Sequence, residues 1–118
     1  MPAVSTIADA LRMVGQLDDV TVTEKRRWSE LAVAGRTFGY LWEPTRTIGL
    51  RQTLLEQQLL VGERPDVFEV QFSAGGFGWV VVHLDLVGRD ELAELVFEAW
   101  RLTAPEELVV ARGERLPE

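Results

Sequence analysis

The sequence predicts an α+β domain of two layers, in which helices cover a mostly antiparallel sheet of about five strands grouped in two hairpin-like units. The expected order is α-β-β-β-α-β-β-α. Three observations point there. Apolar residues recur at helical spacing near the beginning, middle and end of the chain. Two blocks of alternating apolar and polar residues lie between those segments. The breaks inside each block are short Gly- or Pro-containing turns of hairpin length.

Each element has its own reason. Residues 5–17 place Ile7, Ala10, Leu11 and Val14 on one helical stripe, with Ser5 or Thr6 available to cap the first turn. Thr21-Val22-Thr23 and a basic stretch follow, then a short alternating strand over 30–34. Ala34-Gly35-Arg36 turns the chain into a strand over 37–42, with Phe38, Tyr40 and Trp42 on one side and Thr37, Gly39 and Leu41 on the other. Glu43-Pro44-Thr45 makes the next turn into a strand over 46–50. Residues 52–61, rich in Leu, Glu and Gln, read as a helix stopped by Gly62. Strands over 67–72 and 77–85 are joined by the glycine-rich residues 73–76. The clearest helix covers 90–103, capped by Asp90, and a short turn over 106–111 precedes a polar tail. The expected buried sheet face is Phe38, Tyr40, Phe68, Val70, Val80, Val82 and Leu84, packed against Leu11, Val14, Leu92, Val96 and Ala99.

Composition bounds the function. The 118 residues read as a single domain over 1–118 with a loosely ordered tail at 112–118. With 47% hydrophobic and 26% charged residues and no cysteine, the chain has an average soluble composition and needs no disulfide scaffold; zinc ribbons, iron–sulfur clusters and thiol catalysis are excluded. The sequence has neither an apolar run of membrane-span length nor a signal-peptide start, so a cytoplasmic protein without membrane association is expected. The net charge of −7 is unevenly spread: residues 61–118 hold twelve acids and five bases, whereas Lys25 to Arg51 holds six bases and two acids. That local excess is the only part of the chain suited to phosphate.

Trp28, the run Gly35-Arg36-Thr37-Phe38, the stretch from Pro65 to Phe68, the block from Gly76 to Asp85, and the ending Glu91-Leu92 through Ala99-Trp100-Arg101-Leu102 to Ala104-Pro105 together resemble the MmcQ/YjbR family. The likeness runs from the first helix to about Val109. It implies a compact fold related in shape to secretion-chaperone and frataxin-like domains, and DNA binding through two projecting hairpin wings. It implies no reaction. Arg36 stands where the family typically carries a lysine, keeping the charge and changing the donor geometry.

Two candidate surfaces follow. The nucleic-acid candidates are Lys25, Arg26, Arg27, Trp28, Arg36 and Arg46, basic groups at or beside hairpin turns with one ring for stacking. The alternative is a protein-interaction, self-association or small-ligand surface on the mixed sheet face, where Glu69, Gln71, Trp79 and His83 align, with Thr37 nearby. No catalytic constellation is found, and a non-enzymatic protein without cofactor or metal is expected. Ser73, His83 and Asp85 crowd one hairpin without triad spacing, and the lone His83-x-Asp85 pair is a poor metal site. Residues 73–78 lack the Gly-Lys-Ser/Thr ending of a phosphate loop.

Overall fold

In the computed structural model, which describes residues 4–118, Thr6 opens the first helix α1 (Ile7–Gly15) with a reciprocal capping box to Asp9. Ala10, Met13 and Val14 carry its buried stripe, while Leu11, expected in the core, faces solvent. Six strands follow: β1 (Val20–Glu24), β2 (Ser29–Val33), β3 (Arg36–Trp42), β4 (Thr47–Thr53), β5 (Phe68–Ala74) and β6 (Phe77–His83). Helix α2 (Leu54–Glu63) leaves β4 directly, with Thr53 accepting from the Glu56 amide. Helices α3 (Arg89–Arg101) and α4 (Glu106–Arg112) complete the chain. No helix among the described residues is long and apolar enough to cross a membrane.

The strands form one sheet in the order β1-β2-β3-β4-β6-β5, every neighbouring pair antiparallel. The α+β class stands, with two additions. Thr21 to Thr23 belongs to an edge strand, which short β-prone sequence satisfies by pairing with β2. The expected turn after Pro105 is the helix α4, which starts with Glu106 and Glu107 at the positive end of its dipole. Helix α3 likewise starts one residue early, at Arg89, with Gly88 as its cap in place of Asp90. Beyond it the tail lies along α1: Arg112 donates to the Gln16 carbonyl and Arg12 to the Glu118 carbonyl.

The three longer helices cover one face of the sheet. Leu92, Val96 and Ala99 of α3 and Val14 of α1 close a core with Leu31, Phe38, Leu41, Ile48, Leu50, Phe68, Val80 and Val82, all essentially inaccessible. Helix α2 lies on the same side, because a side chain at Gly78, which shares the Val80 and Val82 face, would strike Gln57. Gln57 Nε2 donates to the Phe72 and Trp79 carbonyls, tying α2 to the β5–β6 hairpin.

Two β-bulges break the strict alternation on which the expected core rests. In β3 the pairs Leu31↔Gly39 and Ala32↔Thr37 leave Phe38 as an extra residue, so Phe38 and Gly39 both point to the core. Tyr40 and Trp42 therefore lie on the opposite face from Phe38, and Tyr40 is not a core residue. In β5 the pairs Val70↔Val80 and Phe72↔Trp79 leave Gln71 extra, which turns Phe72 away from the core. Val70 keeps its inward direction but sits on an edge strand and is 56% exposed.

Two predictions follow from this packing. Phe68 is fully buried, so Phe68→Ala should cost about 3 to 5 kcal/mol in urea unfolding; an unchanged midpoint would refute the register of β5. Burial raises the Asp9 pKa, but the Arg12 guanidinium, the Thr6 amide and hydroxyl and the Arg89 guanidinium outweigh it and bring the carboxyl from 3.8 to about 2. A depressed folded-state pKa stabilises above the unfolded value and loses that stabilisation as pH falls through the folded one. Asp9→Asn should therefore lower stability at neutral pH and flatten its decline between about pH 4 and 2, as followed by thermal unfolding across that range.

Candidate functional site

The sheet face turned away from the helices is closed by its own rings. Tyr40 of β3 is the hub. Its ring centroid lies 5.5 Å from Trp28 edge-on, 5.9 Å from Trp42 and 5.6 Å from Trp79. Trp79 in turn stacks on Phe72 at 5.0 Å. Trp79, at 7% exposure, is the buried support of this cluster, while Phe72 at 38% is its most open member. Offset and edge-on contacts at these separations are favourable beyond the area they bury.

Trp28 connects this face to the basic residues. The hairpin between β1 and β2 closes with the Lys25 amide on the Trp28 carbonyl, leaving Arg26 and Arg27 at its tip, and Lys25 Nζ lies 6.0 Å from the Trp28 ring centroid. The tip stands beside the β3–β4 turn, and residues 24–29 with Leu41, Glu43 and Pro44 line a cleft of about 550 Å³. Three cations face two carboxylates there, Glu24 and Glu43. Among the described residues none of Lys25, Arg26 and Arg27 is paired with an acid.

The other sequence candidates divide. Arg46 lies at the same end of the sheet but pairs with Asp85 at 3.5 Å, and Leu84 donates its amide to the Arg46 carbonyl. Arg36 is at the opposite end: it begins β3, whose far end is Trp42, so roughly 20 Å of strand separates it from the basic hairpin. There it follows the Ala34-Gly35 tip, with φ of 49° and 79°, and it adds its charge to that of Arg51. Thr37, opposite Ala32, is at that end too. Burial first, and then Arg36, lower the Arg51 pKa; Arg51 stacks 3.8 Å above the Phe77 ring and donates to Thr103 Oγ1. Glu69 and His83 pair with each other near the Arg46 end.

Gln71 does reach the ring cluster. Placed on the open face by its bulge, it crosses β6 to Gly49 of β4, where its Oε1 lies 2.2 Å from the position a Cβ would occupy. Only a glycine leaves room for that carboxamide and for the Trp42 ring edge beside it. Gln71, Phe72, Trp42, Tyr40 and Trp28 line a second cleft of about 280 Å³. Of the two surfaces nominated from sequence, the basic hairpin with Trp28 and the pair Gln71 and Trp79 thus meet at the ring cluster, whereas Arg36, Glu69 and His83 lie outside it. Tyr40, Trp42, Phe72 and Gly49 were missed as site residues, because alternation alone assigns three of them to the core side or leaves them unread; Gly49 inside an apolar strand is the one local signal that something approaches closely.

The groups that could do chemistry are dispersed. Ser73 contacts Gln57, His83 contacts Glu69, and Asp85 contacts Arg46. Among the described residues no three acidic, histidine or cysteine side chains converge as a metal set would.

Comparison with known proteins agrees with this architecture. The YjbR family model matches residues 16–102. The crystal structure of Deinococcus radiodurans protein DR2400, with the family-model domain DUF419, superposes with a TM-score of 0.71 over 86% of this chain and 80% of that one, at 20% identity, which is a likeness of fold. No curated protein matches.

Proposed function

This chain belongs to the YjbR family, and from that premise we propose that it is a non-enzymatic protein that binds single-stranded nucleic acid across the aromatic face of its sheet. One observation carries the reading: Trp28, which terminates the Lys25-Arg26-Arg27 hairpin, packs against Tyr40, so cations and stacking rings are contiguous. Sequence-tolerant recognition of single strands needs that combination, a positive track for phosphates beside rings on which bases stack. A binding mode that used both hairpin ends against a duplex is less well supported, since Arg36 is remote and Arg46 is already paired. If bases do not bind, the same face serves the alternative reading, a protein or small-ligand surface.

Affinity should be modest. The net charge of −7 works against any polyanion, so only the local field of the hairpin favours approach. Fluorescence anisotropy at low salt should show short single strands binding more tightly than duplexes of the same length. With three cations engaged, the logarithm of affinity should fall with the logarithm of salt at a slope of about −2. Reversing Lys25, Arg26 and Arg27 to Glu should abolish binding, Trp28→Ala should weaken it by about 1 to 3 kcal/mol, and Arg36→Glu should change it little. Binding that survives the triple reversal, or no binding at high micromolar protein, would reject the proposal.

A further inference from the structure

At the end of the sheet away from the basic hairpin, one arginine is held in place with no acid beside it. β3 and β4 pair from Trp42↔Thr47 to Gly39↔Leu50, and beyond that point each follows its other neighbour, β2 or β6. Arg51 is the first residue of β4 past the last pair, and Arg36 is the residue at which β3 begins. The Arg51 guanidinium carbon lies 3.8 Å from the Phe77 ring centroid, so one face of the group is covered. Its Nη1 donates to Thr103 Oγ1 at 3.2 Å. That buried hydroxyl gives its own proton to the Ala99 carbonyl at 2.9 Å, which leaves it an acceptor for Arg51. Nε is enclosed without a partner, whereas Nη2 has no protein partner and is not enclosed. Among the described residues neither Arg51 nor Arg36 pairs with a carboxylate. Arg36 is exposed, and near enough for its charge, after burial, to lower the Arg51 pKa.

A guanidinium taken partly out of water normally has an acid to offset the cost. Arg51 has a second cation instead. From this arrangement we propose that Arg51 and Arg36 form a site for a small dianion, a phosphate monoester or inorganic phosphate, separate from the aromatic face and its basic hairpin. The Phe77 ring and the Thr103 hydroxyl fix the plane and direction of the Arg51 fork. What stays free is its outer end, Nη2 and the second proton of Nη1, the parallel pair of donors that meets two oxygens of a phosphate. A further oxygen is then available to the long, exposed Arg36 side chain. The charge of the ligand follows from the pair: two cations that repel one another are both neutralised by a dianion, and only one of them by a carboxylate. Thr103 is a positioning residue, because it acts by orienting Arg51.

The test titrates the protein with inorganic phosphate against sodium chloride of equal ionic strength. NMR follows the amides of residues 51, 77 and 103, with the Arg51 Nε–H as a direct reporter in the intact protein. Phosphate should shift these signals saturably, sulfate should compete, and acetate should bind about tenfold more weakly, the range of one charge-assisted hydrogen bond. Arg51→Lys, which keeps the charge and loses the fork, should weaken phosphate about tenfold or more. Arg36→Gln alters an exposed side chain and should weaken it about threefold or more. Thr103→Val should weaken it, while Thr103→Ser, which keeps the hydroxyl, should bind as the intact protein does. Reversing Lys25, Arg26 and Arg27 to Glu should leave phosphate binding unchanged, which separates this site from the single-strand surface. Circular dichroism checks that each variant is folded. Shifts no larger than those given by chloride, acetate binding as tightly as phosphate, or phosphate binding that Arg36→Gln leaves intact or the hairpin reversal removes, would each overturn the proposal.

Discussion

A six-stranded sheet covered by helices on one side only must keep its second face stable in contact with water, and in this protein aromatic contacts meet that demand. The helices bury the Phe38, Leu41, Leu50, Phe68 and Val80 side and leave nothing for the other. There Tyr40 gathers Trp28, Trp42 and Trp79, and Phe72 closes over Trp79. Rings suit the task because they remove much area from water while keeping polar edges wet. The bulges at Phe38 and Gln71 make it possible, since each places an extra side chain on one face and reverses the alternation beyond it. Without the first, Phe38 would join the open face and weaken the core. Without the second, Phe72 would point toward the helices and Trp79 would lose its cover.

The central strand β4 is the meeting point of the two faces. Ile48, Leu50 and Gln52 face the helices, Gln52 donating to the Leu95 carbonyl of α3. Gly49 between them carries no side chain, so Gln71 and Trp42 can converge on bare backbone. Gly49 thus serves the core through its neighbours and the surface through its own emptiness. A larger residue there would displace a side chain from the open face while leaving the helix side nearly untouched.

Electrostatics set how the surface can be used. Among the described residues the three cations of the β1–β2 hairpin, beside the rings, have no acidic partner, while α3 on the opposite layer carries Glu91, Glu94 and Glu98 from the acidic half of the chain. The acidic layer limits affinity for polyanions in general, and the sheet between them leaves the hairpin as the favoured point of approach. Arg36 and Arg51 form a second positive spot at the far end, where Arg51 is held by Phe77 and Thr103.

By itself the sequence determined the class of the fold, the helices and most strand positions, because these follow from local periodicity and from turn residues such as Ala34-Gly35 and Gly75-Gly76. From residue type alone it nominated Lys25, Arg26, Arg27, Trp28, Arg36 and Arg46 on one side and Glu69, Gln71, Trp79 and His83 on the other, without showing which of them stand together. Periodicity could not determine the side of the sheet on which Tyr40, Trp42 and Phe72 lie, since one extra residue in a strand reverses every face after it and leaves no mark on composition. Nor could it show that the hairpin and the sheet face share Trp28, or that Arg36 stands apart from Arg26 and Arg27. Tertiary structure decided these points, because they depend on strand register and on which neighbours pack across four strands, and register is fixed by the burial of Phe38, Phe68 and Val80 beneath the helices.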